Sequence, residues 1–122
     1  FSALSIVDTM ESMHSDVYTY IDGSAASAAT LIASAGTPGH RYTGKNSFML
    51  IHQPYMEWAG KRDEFIDEIQ NQEELYKRVK DIYLKNCTIK SKKLDKLLKH
   101  ELWLPPEKCI EIGLVDKIYG KK

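Results

Sequence analysis

Two short segments bring together residue types that could do chemistry as a pair: Gly23-Ser24-Ala25-Ala26-Ser27-Ala28 and Leu50-Ile51-His52-Gln53-Pro54. A serine set among alanines where a strand turns into a helix has an exposed hydroxyl, and the first amides of that helix lack a partner within it. Ser27 in such a turn could serve as a nucleophile while the N–H groups that follow hold a developing oxyanion. His52 stands just past an apolar strand and is fixed by Gln53-Pro54, so it could take the serine proton once a third group holds its tautomer. Each residue also has a plainer reading: Ser27 as a helix cap, and His52 as a strand-end histidine bonded to backbone.

The elements that must position these residues follow from apolar spacing. Phe1, Leu4, Val7, Met10 and Met13 recur at three-residue steps and predict an amphipathic helix from nearly the first residue. Val17 to Ile21 reads as a strand stopped by Asp22-Gly23, and Ala26 to Ala35 as a small-residue helix ended by Gly36. His40 to Thr43 and Ser47 to Ile51 read as strands on either side of the turn Gly44-Lys45-Asn46. From Lys61 to about Asn86 the residues Phe65, Ile66, Ile69, Tyr76, Val79 and Tyr83 keep helical spacing, acid-rich first and base-rich later, as the helix dipole favours. Leu94, Leu97 and Leu98 mark a short amphipathic helix within Lys90 to Lys99. Pro105-Pro106 opens a last helix closed at Gly113, and Val115 to Tyr119 reads as a final strand. The length and composition are those of one ordinary globular domain over residues 1–122.

Charge and cysteine usage narrow the function classes. Seventeen Lys and Arg balance seventeen Asp and Glu, so no overall field argues for nucleic acid or an anionic membrane surface as partner. The longest apolar run, Ala25 to Ala35, is too short to span a bilayer. Cys87 and Cys109 are too few for a disulfide framework and read as buried thiols of a reducing, intracellular compartment. Gly39 and Gly44-Lys45 imitate a phosphate-binding loop, but Asn46 replaces the Ser or Thr that reaches magnesium and a strand follows where a helix is needed. His100-Glu101 starts a zinc-protease string whose second histidine position is Leu104, and no other His or Cys cluster has ligand spacing. His14 and His40 read as surface or loop histidines, and neither Trp58 nor Trp103 lies in a basic, base-stacking patch. No metal and no bound cofactor is expected.

The two reactive segments resemble the proteolytic subunit of the Clp protease family. Gly23 to Ala28 matches that family's Gly-x-Ala-Ala-Ser nucleophile motif, Leu50 to Pro54 its hydrophobic-pair His-Gln-Pro motif, and Glu107 to Ile118, with Gly113-Leu114-Val115-Asp116, its closing segment. The resemblance spans the chain. It implies a crotonase-like (ClpP-like) α/β fold of βαβ units, here its C-terminal portion with a long helix after the histidine motif. It also implies a homo- or hetero-oligomeric ring that hydrolyses unfolded polypeptide, with ATP used by a separate AAA+ unfoldase rather than by this chain. A cytoplasmic or organellar matrix or stromal location goes with that reading.

Carried over residue by residue, the resemblance makes Ser27 the nucleophile, His52 the base and the Ala28 N–H an oxyanion donor. The family's acid is an aspartate two residues before an aromatic-Leu pair. Here that place, before Trp103-Leu104, is Glu101, whose extra methylene demands a shifted backbone or rotamer. Asp95 and Asp116 are the rival carboxylates. The family's Gly-Gly turn ahead of the first helix, source of a second oxyanion donor, has no counterpart in this sequence, so the peptidase domain is expected to be N-terminally incomplete and a poor enzyme by itself. The alternative is a catalytically impaired structural ring subunit, which would have no reason to retain Ser27 and His52. A serine–lysine peptidase would have to use Lys45, the only lysine between the motifs, and a crotonase-type acyl-CoA enzyme would not need the Ser/His pair.

Two apolar faces are expected to meet a neighbouring subunit: the stripe of the first helix, and Tyr76, Val79 and Tyr83 on the long helix.

Overall fold

The computed structural model describes residues 1–120. Its elements in chain order are α1 (Ser2–Ser12), β1 (Thr19–Ile21), β2 (Ser24–Ala26), α2 (Ala28–Ser34), β3 (Arg41–Thr43), β4 (Phe48–Leu50), α3 (Arg62–Asn86), α4 (Ser91–Leu98), α5 (Pro106–Glu111) and β5 (Lys117–Ile118). β3 lies between β1 and β5, all parallel, and β2 pairs in parallel with β4. The β1–β2–α2–β3–β4 run is therefore a βαβ crossover, in agreement with the α/β expectation.

The two sheets are one parallel ladder kinked at a single level. Thr19, Tyr20 and Ile21 stand opposite Arg41, Tyr42 and Thr43, and beyond the kink Ser24, Ala25 and Ala26 stand opposite Phe48, Met49 and Leu50. At the kink the Ser47 hydroxyl donates to the Ile21 carbonyl and accepts from the Gly23 amide, and the Gly44 amide also donates to Ile21. A side chain at Gly44 would meet Ser47 Oγ at 2.9 Å, so this close approach requires glycine.

This kink revises one expectation. Ala26 was assigned to the helix, yet it belongs to β2, and α2 begins only at Ala28. Alanine favours helix intrinsically, but pairing with β4 satisfies the backbone of residues 24–26 and overrides that preference.

The core sits between the strands and the helices, with Val7, Met49, Ile51, Leu94, Leu98 and Leu114 fully enclosed. Burying Leu94 and Leu98 contributes about 1.5–3 kcal/mol each and pins α4 against the end of β4. Acidic Asp63 and Glu64 in the first turn of α3 and Lys85 in its last complement the dipole. Pro106 takes the first position of α5, where its missing N–H costs nothing, and Gly113 after that helix has φ +81.

The face expected to meet a neighbour is corrected. Val79 and Tyr83 are buried inside this chain, in the core cluster shared with residues of α2 and the strands. Of the α1 stripe, Val7 is buried where α1 packs on α2, while Phe1 and Met13 stay exposed at 94% and 51%. The exposed apolar residues of α3 are Phe65, Ile66 and Ile69, at 40%, 46% and 40% exposure.

Candidate active site

Ser27 occupies the single residue between β2 and α2, with φ 55 and ψ −116, the one non-glycine residue of positive φ among the described residues. Such a backbone costs on the order of 1–3 kcal/mol and persists only where its neighbours over-determine it. They do so here from both sides. The Ser27 amide donates to the Leu50 carbonyl at 2.9 Å, tying the turn to the last residue of β4. The Ser27 carbonyl accepts from the Thr30 amide at 3.1 Å and from the Thr30 hydroxyl. The Ser27 hydroxyl makes no capping hydrogen bond and the residue is exposed, so the helix-cap reading does not hold. Ala28 is the first residue of α2, and its exposed amide has no partner within the helix.

His52 follows β4 by two residues. The loop it opens is anchored where the Gln53 amide donates to the Leu98 carbonyl at 2.9 Å. His52 is half-buried and borders two hollows. One, of about 130 Å³, is lined by Ser27, Ala28, Leu31, Leu75, Val79 and Tyr83, and is apolar apart from the serine and the histidine. The other, of about 560 Å³, carries Glu101 with Gln72, Glu73, Tyr76 and Lys99. His52 thus borders both the hollow that Ser27 lines and the hollow that Glu101 lines. No hydrogen bond joins its imidazole to either residue, or to backbone, among the described residues.

Glu101 reaches this place through a third segment laid along β4. Met49 and Leu104 exchange antiparallel backbone hydrogen bonds of 3.0 and 2.7 Å, so β4 is flanked by β2 on one edge and bridged at Leu104, three residues after Glu101, on the other. The Glu101 side chain is exposed and engages no ion pair among the described residues.

The rival carboxylates are committed elsewhere. Asp116 grips Arg41 in a two-pronged ion pair of 2.7 and 2.9 Å and also accepts from the Gly39 and Arg41 amides. The Arg41 guanidinium, reinforced by those amides, holds the Asp116 carboxyl below the usual carboxylate range. Asp95 accepts from Lys80 and Tyr76, with Lys80 as the chief reason its pKa is lowered. Neither carboxylate lines a hollow that His52 borders. The cysteines are unpaired, Cys109 buried and Cys87 half-buried. Burial pushes both thiols up to about 12, which removes them as nucleophiles at neutral pH.

Two features were not legible beforehand. Thr30 and Tyr83, which back the Ser27 turn, looked like one more small helical residue and one more apolar face residue, and Ser34 in the same helix carries a hydroxyl too, so Thr30 did not stand out. The Arg41–Asp116 pair gave no local signal at all, since its partners lie far apart in sequence.

The profile of the Clp protease family matches residues 1–122. The chain is similar to the ATP-dependent Clp protease proteolytic subunit of Lactococcus lactis subsp. cremoris, at 37% identity over 120 residues, covering 96% of this chain and 60% of that protein. It therefore spans about 60% of the length of the curated relative it matches. The chain belongs to the Clp protease family.

Proposed function

We propose that this member of the Clp protease family is a serine endopeptidase subunit in which Ser27 attacks the scissile carbonyl, His52 takes and returns its proton, and Glu101 orients the imidazole. The Ala28 amide receives the oxyanion. The observation that carries the reading is the turn itself: an uncapped, exposed Ser27 at φ 55, hydrogen-bonded through its amide to the strand that delivers His52 to the same small hollow. The apolar lining of that hollow suits a substrate side chain next to the bond being cut.

The unfolded polypeptide substrate, the oligomeric ring and the separate AAA+ ATPase belong to this proposal. Support for the ring comes from the family and from Phe65, Ile66 and Ile69, an exposed apolar row on the first half of α3. Closing the Ser27–His52 and His52–Glu101 gaps is the work such contacts would do, since catalytic hydrogen bonds often tighten only in the assembled, substrate-bound state. Hydrolysis should then rise with protein concentration. Sedimentation alongside a peptidase assay decides it: a stable monomer at micromolar concentration with full activity would sink the ring requirement. The second reading, an impaired structural ring subunit, is favoured by the exposed, unpaired Glu101.

A fluorophosphonate probe separates the two. Labelling at Ser27 that disappears in His52→Ala supports the peptidase, and a chain unlabelled in every assembly state supports the structural subunit.

A further inference from the structure

Tyr83 is a fully enclosed ionisable group, 1% exposed, which the mechanism above leaves unused. Its ring lines the hollow beside Ser27, while its hydroxyl turns the other way, to Thr30 Oγ1. Thr30 is itself 0% exposed, and its hydroxyl donates to the Ser27 carbonyl. A carbonyl can only accept, so the single proton of the Thr30 hydroxyl is committed to Ser27 and the Tyr83 hydroxyl must be the donor to Thr30. The direction of the chain is fixed: Tyr83 O–H to Thr30 O–H to Ser27 C=O. Burial raises the Tyr83 pKa far above neutrality, so the proton that sets this direction stays in place.

We infer that Tyr83 and Thr30 are positioning residues for the nucleophile, a two-hydroxyl relay by which the long helix α3 holds the Ser27 carbonyl and with it the strained backbone of the turn. The inference rests on the reading of Ser27 as nucleophile. Its physical logic is that a residue at φ 55 and ψ −116 relaxes unless both of its peptide groups are held. β4 holds the amide. The Thr30 amide and hydroxyl hold the carbonyl, and the Tyr83 hydroxyl, by donating to Thr30 Oγ1, keeps the Thr30 proton directed at it.

The test reads covalent modification of Ser27 in the full chain by a rhodamine fluorophosphonate, resolved into a maximal rate, kinact, and a half-saturation constant, KI, beside thermal melting. Tyr83→Phe keeps the ring that lines the hollow and removes only the hydroxyl. It should lower kinact about tenfold and leave KI within about twofold, since small misplacement of a reacting group costs rate rather than binding. Thr30→Val should lose as much or more, Thr30→Ser should retain at least about half the parental kinact, and the double variant should be no slower than Thr30→Val alone, as expected of one relay with one acceptor. Should Tyr83→Phe fail to fold, the contrast between Thr30→Ser and Thr30→Val decides the matter. Parental kinact in Tyr83→Phe and Thr30→Val overturns the inference; so does a raised KI at unchanged kinact, which would make Tyr83 a wall of the hollow and nothing more. Labelling of the parent is read first: a parent not modified at Ser27 overturns the nucleophile assignment and this inference with it, whereas a labelled parent with indifferent variants overturns the relay alone.

Discussion

The two edges of β4 are held in opposite ways. On the β2 edge, Ser27 is fastened through its amide to Leu50, through its carbonyl to Thr30, and through Thr30 to Tyr83 on another helix. On the other edge, the segment 101–104 is fastened at Leu104 by its exchange with Met49, and Glu101 ends in solvent with no partner among the described residues. A strained serine must be over-determined to exist at all, so its surroundings are built in advance of any substrate. A carboxylate that only orients an imidazole needs its partner in place, and a flexible glutamate can meet it late. On the proposed reading the serine side is therefore preformed and the Glu101 side adjustable, so assembly or substrate would act on Glu101 rather than on Ser27.

The largest expected effect comes from breaking the rigid edge. Ser27→Ala and His52→Ala should each reduce peptide hydrolysis by roughly 10⁴-fold or more, with the double variant little worse than either. Both residues sit at element ends, so melting temperatures should hardly move. Additive losses would contradict a shared serine–histidine mechanism.

The adjustable edge should be less costly to break. Glu101→Gln keeps the shape and loses the charge, and should lower kcat by about 10²–10⁴ while KM stays nearly constant. Full activity in Glu101→Gln, with Asp116→Asn inactive though folded, would transfer the orienting role to Asp116. We expect the reverse division. Asp116→Asn breaks a largely buried ion pair with Arg41 and should cost about 2–3 kcal/mol of stability in urea unfolding, leaving the kcat of the folded protein within a few-fold.

The smallest effect is in pH. Because Arg41 lowers the Asp116 pKa in the folded chain, that carboxylate contributes its full stabilisation above the ordinary aspartate value near 3.9 and loses it as pH falls through the lowered folded value. The urea midpoint should therefore fall from about pH 4 downward in the parent and less steeply in Asp116→Asn. An identical slope in both proteins would mean that other carboxylates carry the acid transition.

How much of this was legible in the linear sequence differs between the two edges as well. The positions of Ser27 and His52 at strand ends followed from short-range signals: Asp22-Gly23, the alanine run, the apolar residues before His52 and Pro54 after it. The long helix was read to within a residue of its start, because apolar spacing repeated over many turns is a strong signal. β2 was missed, because three residues of serine and alanine carry no strand propensity and become a strand only when β4 supplies the partner. The facing of α3 was missed too. Helical spacing says that Tyr76, Val79 and Tyr83 share a side, but not whether that side turns inward to the same chain or outward to another.

The amino-acid sequence by itself determined the order of strands and helices apart from β2, the chemistry available in Ser27, His52 and Glu101, and membership of a family, since each of these depends on residue type and local spacing. The tertiary structure decided which of three carboxylates shares a hollow with the histidine, which two are consumed by Arg41 and by Lys80 with Tyr76, and which hydroxyls stand behind the nucleophile. The reason is distance along the chain: Ser27, His52 and Tyr83 come to line one hollow, and His52 and Glu101 another, because β4 is hydrogen-bonded on one edge to the serine turn and on the other to Leu104.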